Sequence, residues 1–512
     1  MIRSFLTVSS GTLASRLLGF ARDSLVAALL GAGAVADAFL VAFQLVNVVR
    51  RLLTEGALNA ALVPAWLRIR EQEGAAAAAA FAGRVLGTIS VALMMATILI
   101  GVLMPYVMAV LAPGFVGTET LQLAVSNARL MLPYLAFAGP VTVLMALMNA
   151  QGRFALPAFS PLLFNVALIA VTVALLLWHQ SAALAAMVLA ATVGVAGLLQ
   201  LSILLLRGDG VTAWIRVSFD REMRGFVAKA VPGMIASSGP QLLMVAGAII
   251  ASSSPSAVSW LYFAGRLIEL PLGLVGVAMG AVLVPELSRA AHGEDRDAIS
   301  HAQSRSLELA AGLALPAALG LLVLSEPIVK MLFERGAFTA DDTAATARAL
   351  MWLALGLPAH VLFKALAPAF FARENTTTPL ASVLKGIALA TALAFLLGHF
   401  FGSEGVAAAL TLGAWSSALS LLREGATTFG FSLDAAARKR LPRIALAALA
   451  MGGLLWLMTT FLPIASHGLF QAAALLALVA AGIALYGLIL WLFGVIGWRE
   501  AVNAVRSGGL HD

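Results

Sequence analysis

Residues 37–64 read DAFLVAFQLVNVVRRLLTEGALNAALVP. The stretch is apolar for most of its length, and its apolar residues do not alternate with period two, so it reads as a helix rather than a strand. Asp37, Gln44 and Arg51 recur at seven-residue spacing. Two helical turns return to nearly the same face, so these side chains form one polar stripe, with Asn47 beside it. Arg50 is offset from the stripe, and Glu55 lies one turn beyond Arg51. Charges in so apolar a helix are expensive and mark either a packing pair or a functional surface.

The rest of the chain has the same character. Of 512 residues, 61% are hydrophobic and 11% charged, and the mean hydropathy is +0.97. That much apolar surface predicts an all-α polytopic membrane protein, since only helices or closed barrels satisfy the backbone in hydrocarbon and the apolar runs are about 20 residues or longer. Fourteen spans are expected, near 7–31, 34–62, 80–112, 120–149, 157–179, 183–206, 223–252, 257–286, 303–326, 342–371, 378–400, 405–427, 441–463 and 468–496. No cleaved signal peptide is expected, because Arg16 and Arg22 interrupt the first apolar run. Cysteine is absent, so no disulfide or thiolate metal site exists.

The formal charge is +7. Its distribution points to a membrane rather than to nucleic acid. Arg68, Arg70 and Arg84 follow the second span, Arg207, Arg216, Arg221, Arg224 and Lys229 the sixth, and Arg438, Lys439, Arg440 and Arg443 the twelfth. The intervening APGFVGTET, WHQSAA, SSSPSA and LPIASHG have no Lys or Arg. This alternation predicts both termini and the basic loops in the cytoplasm. The connection with Lys330 and Arg335 is the exception, and a structured outer turn is expected there.

The stretch also recurs. ALNAALVP at 57–64 aligns with AMGAVLVP at 278–285, and further on, at an offset of 222, Pro105 meets Pro327, Gly114 meets Gly336, Pro157 meets Pro379 and Ser160 meets Ser382. An offset spanning six helices implies parallel repeats, a transporter arrangement. The expected organisation is an N-lobe at 1–207, a cytoplasmic linker at 208–222, a C-lobe at 223–428, a second linker at 429–440, and two further helices with a short tail at 441–512.

Charges within the predicted spans concentrate in SRLLGFARDSL (15–25), the opening stretch and SWLYFAGRLIELP (259–271). Ser259 and Arg266 lie seven apart, with Tyr262 and Glu269 on the same side, and Lys364 adds a cation in the tenth span. Arg51 with Glu55, and Arg266 with Glu269, fit internal ion pairs, as does Arg16 with Asp23. Taken together, the cations Arg16, Arg22, Arg50, Arg51 and Arg266 outnumber Asp23, Asp37, Glu55 and Glu269. A guanidinium surplus suits an anionic, phosphate-bearing substrate, because the planar fork donates paired hydrogen bonds and keeps its charge. Spacing of six puts Arg16 and Arg22 about 120° apart on a helix, so either both border a wide cavity or the helix bends near Gly19. No Walker loop, nucleophile elbow or HExxH occurs, and the histidines have no metal-ligand spacing. No catalytic residue, metal or cofactor is assigned.

These residues resemble a known family. SRLLGFARD, the 37–64 stretch, SWLYFAGRLIELPLGLVGVA, NAQGRFALPAFSP and KALAPAFFAREN are similar to the MurJ (MviN) lipid II flippases of the multidrug/oligosaccharidyl-lipid/polysaccharide exporter superfamily. The resemblance implies fourteen helices, with two six-helix lobes in a V around a cationic cavity and two helices forming a lipid groove. It implies a transporter rather than an enzyme, carrying the undecaprenyl-pyrophosphate-linked peptidoglycan precursor across the bacterial inner membrane for wall synthesis. Its implied partners are lipid II, membrane lipids and the cell-wall synthesis machinery. By motif match the required arginines fall on Arg16, Arg22, Arg50 or Arg51, and Arg266, the carboxylates on Asp37 and Glu55, and a serine on Ser259. Many members carry an acid immediately before the arginine matched by Arg266; here Gly265 stands there, and Glu269 is a substitute. Segment eleven, TTPLASVLKGIALATALAFLLGHFFG, has no Asp or Glu, so the sodium site of some members is not assigned. The alternatives are a flippase for another polyprenyl-pyrophosphate saccharide, which would share the arginines, and a cation-coupled drug exporter, which would want an acidic or aromatic cavity.

Overall fold

Long apolar runs punctuated by proline and glycine dictate a chain of helices. The computed structural model describes residues 2–54, 57–178, 180–206, 215–218, 220–221, 223–226, 228, 239–292, 296–371, 373, 375–429, 433–461 and 468–495. Among these residues there are seventeen α-helices and no strand. Nine helical stretches of the described residues are long and apolar enough by themselves to cross a membrane. Glu55, residues 208–214 of the first linker, residues 430–432 of the second and the tail from 496 lie outside the described residues.

The first predicted span is α1 (Ile2–Leu30). It runs unbroken through Gly19, so the expected irregularity there is absent. Where α1 does use a glycine for close approach is Gly11, whose Cβ would stand 2.7 Å from the Ala158 carbonyl oxygen of α8 (Ala155–Trp178). The second predicted span contains α2 (Ala34–Thr54) and the start of α3 (Ala57–Gln72), on either side of residues 55–56, which lie outside the described residues. The third is α4 (Ala75–Val102), broken at Leu103 from α5 (Met104–Leu111) because Pro105 cannot donate to the preceding turn. The fourth is α6 (Glu119–Met131) followed by α7 (Pro133–Ala150), and α9 (Ala182–Leu206) is the sixth. Of the seventh, α10 (Gly239–Ala251) is described.

The remaining helices follow the sequence expectation closely. They are α11 (Ala257–His292), α12 (Arg296–Val323), the short α13 (Ser325–Phe333), α14 (Ala340–Phe371), α15 (Thr377–Phe429), α16 (Ala435–Phe461) and α17 (Leu469–Leu492). Within α15, Gly402 adopts φ 55° and ψ −134°, which splits the element into the two expected spans.

The chain forms two compact units. The first contains residues 1–262 with 335–342; the second contains 263–334 with 343–512. In the first unit α2 packs on α6, α1 and α9 on α8, and α7 on α4 and α9. The α3, α4 and α7 side chains Leu62, Trp66, Phe81, Val85 and Leu147 make a continuous core with Met223 and Phe226. Residues 215–218 lie along α4, where Gly87 leaves room for the chain. The Ser218 N–H donates to Thr88 Oγ1 at 3.0 Å, and a Cβ on Gly87 would stand 2.4 Å from the Arg216 carbonyl oxygen. In the second unit α16 packs along α12 and against α17; Gly452 meets Leu319, Gly482 meets Leu455, and Tyr486 Oη donates to the Gly312 carbonyl at 2.8 Å.

The internal repeat is visible in paired contacts of the first unit. The Gly114 N–H donates to Ser252 Oγ at 3.0 Å, and a Cβ on Gly114 would stand 2.3 Å from the Ser252 carbonyl oxygen. Its repeat counterpart Gly336 lies as close to the Ala28 carbonyl oxygen, also 2.3 Å, and the Ala337 N–H donates to that oxygen at 2.8 Å. Ser252 and Ala28 end the seventh and first spans, which are themselves counterparts. Two equivalent glycine clasps therefore close one end of the unit, and the turn at 335–339 is the structured one expected around Arg335.

Candidate functional site

The polar side chains of the first unit gather where α1, α2, α8 and the start of α11 meet. Arg22 and Asp23 are adjacent on α1, an arrangement that does not normally bring helical side chains face to face. The long arginine folds back: its Nε and Nη2 donate to Asp23 Oδ1 at 2.9 and 2.7 Å. Its Nη1 donates to Asn165 Oδ1 at 3.0 Å, and Asn165 in turn donates to the Ser15 carbonyl at 3.1 Å. The guanidinium lies over the rings of Phe43 and Phe164, at 5.0 and 5.8 Å from their centroids. Tyr262 Oη donates to Asp23 Oδ1 at 3.3 Å. Arg22 is 6% exposed and Asp23 2%. A buried ion pair persists only when its remaining donors and acceptors are also satisfied, and this one has an amide, a phenol and two aromatic faces.

Arg16, one and a half turns earlier on α1, is exposed. Asp23 is engaged by Arg22 and Tyr262 instead. Arg50 and Arg51 on α2 are half-buried; Arg50 Nη2 reaches Asn47 Oδ1 at 3.4 Å. Tyr134 stands within electrostatic reach of both Arg50 and Arg22. Glu55 is outside the described residues.

Asp37 begins the α2 stripe and is buried. Its Oδ1 accepts from the Ser259 backbone N–H at 2.9 Å and from Ser259 Oγ. Ser259 is fully buried in the first turn of α11. The carboxylate thus takes a backbone donor near a helix N-terminus, where the helix field favours negative charge. One residue further, Trp260 Nε1 donates to Asp342 Oδ1 at 3.0 Å, and Asp342 caps α14 by accepting from the Thr339 N–H at 3.0 Å. Aspartates 37 and 342 therefore hold the start of α11 from two sides.

In the second unit Arg266 is paired with Glu269 one turn along α11. The pair occupies the place where Gly265 leaves no adjacent acid. Lys364 is an exposed residue of α14, one turn beyond His360. Among the described residues no cluster of three or more His, Asp or Glu side chains could hold a metal ion.

Sequence reasoning singled out Arg22, Asp23, Asp37 and Ser259 but missed Asn165 and the aromatic pair Phe43–Phe164. An asparagine in the apolar run PLLFNVALIA was the available signal for the first. The second had none, since phenylalanine is common throughout the chain.

Comparison with known proteins fits this construction. The sequence matches the family described as "Lipid II flippase MurJ" over residues 26–476. It is 36% identical to a probable lipid II flippase MurJ of Rhizobium meliloti (strain 1021), over 99% of this chain and 97% of that protein. It is 34% identical to the lipid II flippase MurJ of Burkholderia cenocepacia, over 82% and 83%. The fold superposes on a lipid II flippase MurJ in an inward closed conformation with a TM-score of 0.80, 23% identity and coverage of 97% and 99%. An inward-facing multidrug resistance transporter of the MATE family shares the fold at a TM-score of 0.66 and 14% identity. The sequence relatives are named as flippases, transporters rather than enzymes, and the chain belongs to the MurJ lipid II flippase family.

Proposed function

We propose that this multi-pass membrane protein is a lipid II flippase. In this reading it carries the undecaprenyl-pyrophosphate-linked peptidoglycan precursor from the cytoplasmic to the periplasmic leaflet of the inner membrane by alternating access, with both termini cytoplasmic. Family membership over nearly the whole chain is the observation that carries it. The arginine-rich first and second helices add a chemical reason, since guanidinium groups in a central cationic cavity pair with a pyrophosphate. Arg16, Arg50 and Arg51 are accessible for that pairing, Arg22 reaches it by exchanging Asp23 for phosphate, and Arg266 and Lys364 are the second-half candidates. Asp37, Glu55, Ser259 and Glu269 serve to position these cations and the helices that carry them. The last two helices, outside the repeat, offer the polyprenyl tail an apolar surface, and the wall-synthesis machinery is the natural consumer of the product.

Complementation of a bacterial strain depleted of its own lipid II flippase tests the reading. Restored growth with accumulation of lipid II in the outer leaflet supports it; failure to complement despite membrane insertion overturns it. Running the transport assay with an undecaprenyl pyrophosphate bearing a different saccharide separates this function from that of another polyprenyl-pyrophosphate flippase. Single-cysteine labelling tests the orientation, with position 118 reached from outside and position 216 from inside.

A further inference from the structure

We propose that Arg129 and the proline-broken turn beside it form a binding site for the phosphodiester headgroup of an anionic phospholipid, in the leaflet at the end of the bundle that carries residues 112–118. The inference rests on the orientation proposed above for the statement that this leaflet is the periplasmic one.

The argument begins with Pro105. In a continuous helix the N–H of residue 105 would donate to the carbonyl of residue 101, and proline has none. The Gly101 carbonyl is left without its helical donor at the α4–α5 break, and Arg129 Nε of α6 supplies one at 3.4 Å. That contact anchors the guanidinium by its inner nitrogen. Its two terminal nitrogens have no acceptor, and no carboxylate pairs with it, among the described residues.

Arg129 is exposed, and its surroundings are apolar. Val102 is 69% exposed, Leu99 59% and Leu130 39%. These belong to spans that face lipid. Depth follows from length: residues 130–149, LMLPYLAFAGPVTVLMALMN, carry no charge, and twenty helical residues cover about 30 Å, the thickness of the hydrocarbon core. Arg129 is therefore the first charge met at that end of the uncharged stretch, and its long side chain reaches toward the headgroups. Tyr106, 73% exposed on α5, stands at the interfacial level that tyrosine favours. A fixed guanidinium with a free planar fork, facing lipid at headgroup depth, presents paired donors to a phosphate.

The repeat provides an internal control. Pro327, the counterpart of Pro105, breaks the second copy between α12 and α13 in the same way, but Met351 stands at the position of Arg129. The break does not need the cation, so the cation serves something else.

The chain has no cysteine, so a single Val102→Cys label reports locally. In vesicles of mixed dibrominated phosphatidylglycerol or dibrominated phosphatidylcholine, quenching of a fluorophore at 102 measures which lipid stands beside it. Phosphatidylglycerol should be enriched about fivefold over its bulk share, the effect of one cation at a membrane surface. Arg129→Met, the residue of the second copy, should bring the enrichment to one, and Arg129→Lys should retain part of it. Equal quenching by both lipids in the parent, or unchanged enrichment in Arg129→Met with normal helicity and melting temperature, overturns the site. Reaction of the Val102→Cys thiol with an impermeant reagent only from the cytoplasmic side overturns the leaflet. The readout is lipid contact without transport, so failure of the flippase reading leaves it independently decided.

Discussion

Asp37 and Ser259 are hydrogen bonded to each other and stand 222 residues apart, the interval that relates the two halves of the repeat. Residues equivalent under a two-fold relation touch only at the axis. This contact, with the clasps at Gly114 and Gly336, marks where the halves meet at one end of the first unit.

The carboxylate of Asp37 takes two donors from one residue, so the two side chains should be energetically coupled. Asp37→Ala, Ser259→Ala and the double variant form a cycle. Coupling of about 1.5–3 kcal/mol is expected for a hydrogen bond to a buried charge. Melting temperatures in detergent give the stability cycle and a flipping assay the functional one. Additive effects on stability would show that the hydrogen bond from the Ser259 hydroxyl contributes nothing.

The clasps predict a graded pair of lesions. Gly336 has φ +59° and meets the Ala28 carbonyl, whereas Gly114 has close contact with Ser252 and no left-handed backbone. Gly336→Ala therefore combines overpacking with backbone strain, each costing about 1–3 kcal/mol, while Gly114→Ala incurs the first alone. Gly114→Ala should raise the labelling rate of a cysteine at position 252 and Gly336→Ala that of a cysteine at position 28, with Gly336→Ala lowering the melting temperature the more. The opposite order in melting temperature would contradict the geometry.

Gly87 makes a similar prediction at the other end of α4. Any Cβ there pushes the 215–218 segment away, since the Arg216 oxygen is 2.4 Å from its ideal position. Gly87→Leu should free that segment and speed proteolytic cleavage near Arg216 and Arg221 by at least several-fold, with the helical content unchanged. Cleavage at the parental rate would mean that α4 does not hold the segment.

Much of this architecture was legible beforehand, because lipid demands long apolar helices and the repeat fixes which ones correspond. The expected spans 378–400 and 405–427 anticipated the split at Gly402, whereas the break at Leu103 beside Pro105 falls inside one expected span, 80–112, because hydropathy does not register a lost backbone donor. The site was half legible. Seven-residue spacing singled out Asp37, which is buried against Ser259, but the same rule paired Asp23 with Arg16, since it sees helical faces and not the reach of a side chain. Arg22 is long enough to fold onto its own neighbour, and only tertiary packing against Asn165, Phe43 and Phe164 makes that conformation the one adopted.

Asp434 gives a pH-dependent prediction on the water side of the membrane. It caps α16 by accepting from the Ala437 N–H at 2.6 Å, and its N–H donates to Ser304 Oγ at 3.0 Å. The Ala437 hydrogen bond, followed by that of His301, holds its carboxyl below the usual aspartate value of 3.8. A lowered folded pKa stabilises the fold above the unfolded value and is lost as pH falls through the folded one. Asp434→Ala should thus cost about 0.5–2 kcal/mol at neutral pH, as for other N-caps, with the difference shrinking below pH 3.8. Asp434→Asn should retain most of the cap. Melting curves between pH 3 and 7 decide it, and a deficit that grows toward acid would refute the assignment.

The most informative test concerns Arg22, because it is both the best-packed cation of the site and a proposed ligand for pyrophosphate. Arg22→Ala leaves Asp23 charged and buried, retaining only Tyr262 of the partners described above, and should destabilise the protein by about 3–5 kcal/mol, as breaking other buried pairs does. Loss of transport in that variant alone therefore proves little. Arg22→Ala/Asp23→Ala removes both charges and should recover much of the melting temperature. Arg22→Lys keeps a cation but cannot supply Nε and Nη2 to Asp23 while a third nitrogen reaches Asn165. If Arg22 only locks α1 to α8, the double variant regains transport along with stability. If it trades Asp23 for the substrate's phosphate, the double variant is stable and inactive, and Arg22→Lys is impaired in transport more than in melting temperature. Arg16→Ala is the control: exposed and outside the Asp23 pair, it should melt like the parent whichever outcome Arg22 gives. Recovery of full flipping by the double variant would remove Arg22 from the substrate site and leave Arg16, Arg50 and Arg51 to carry it.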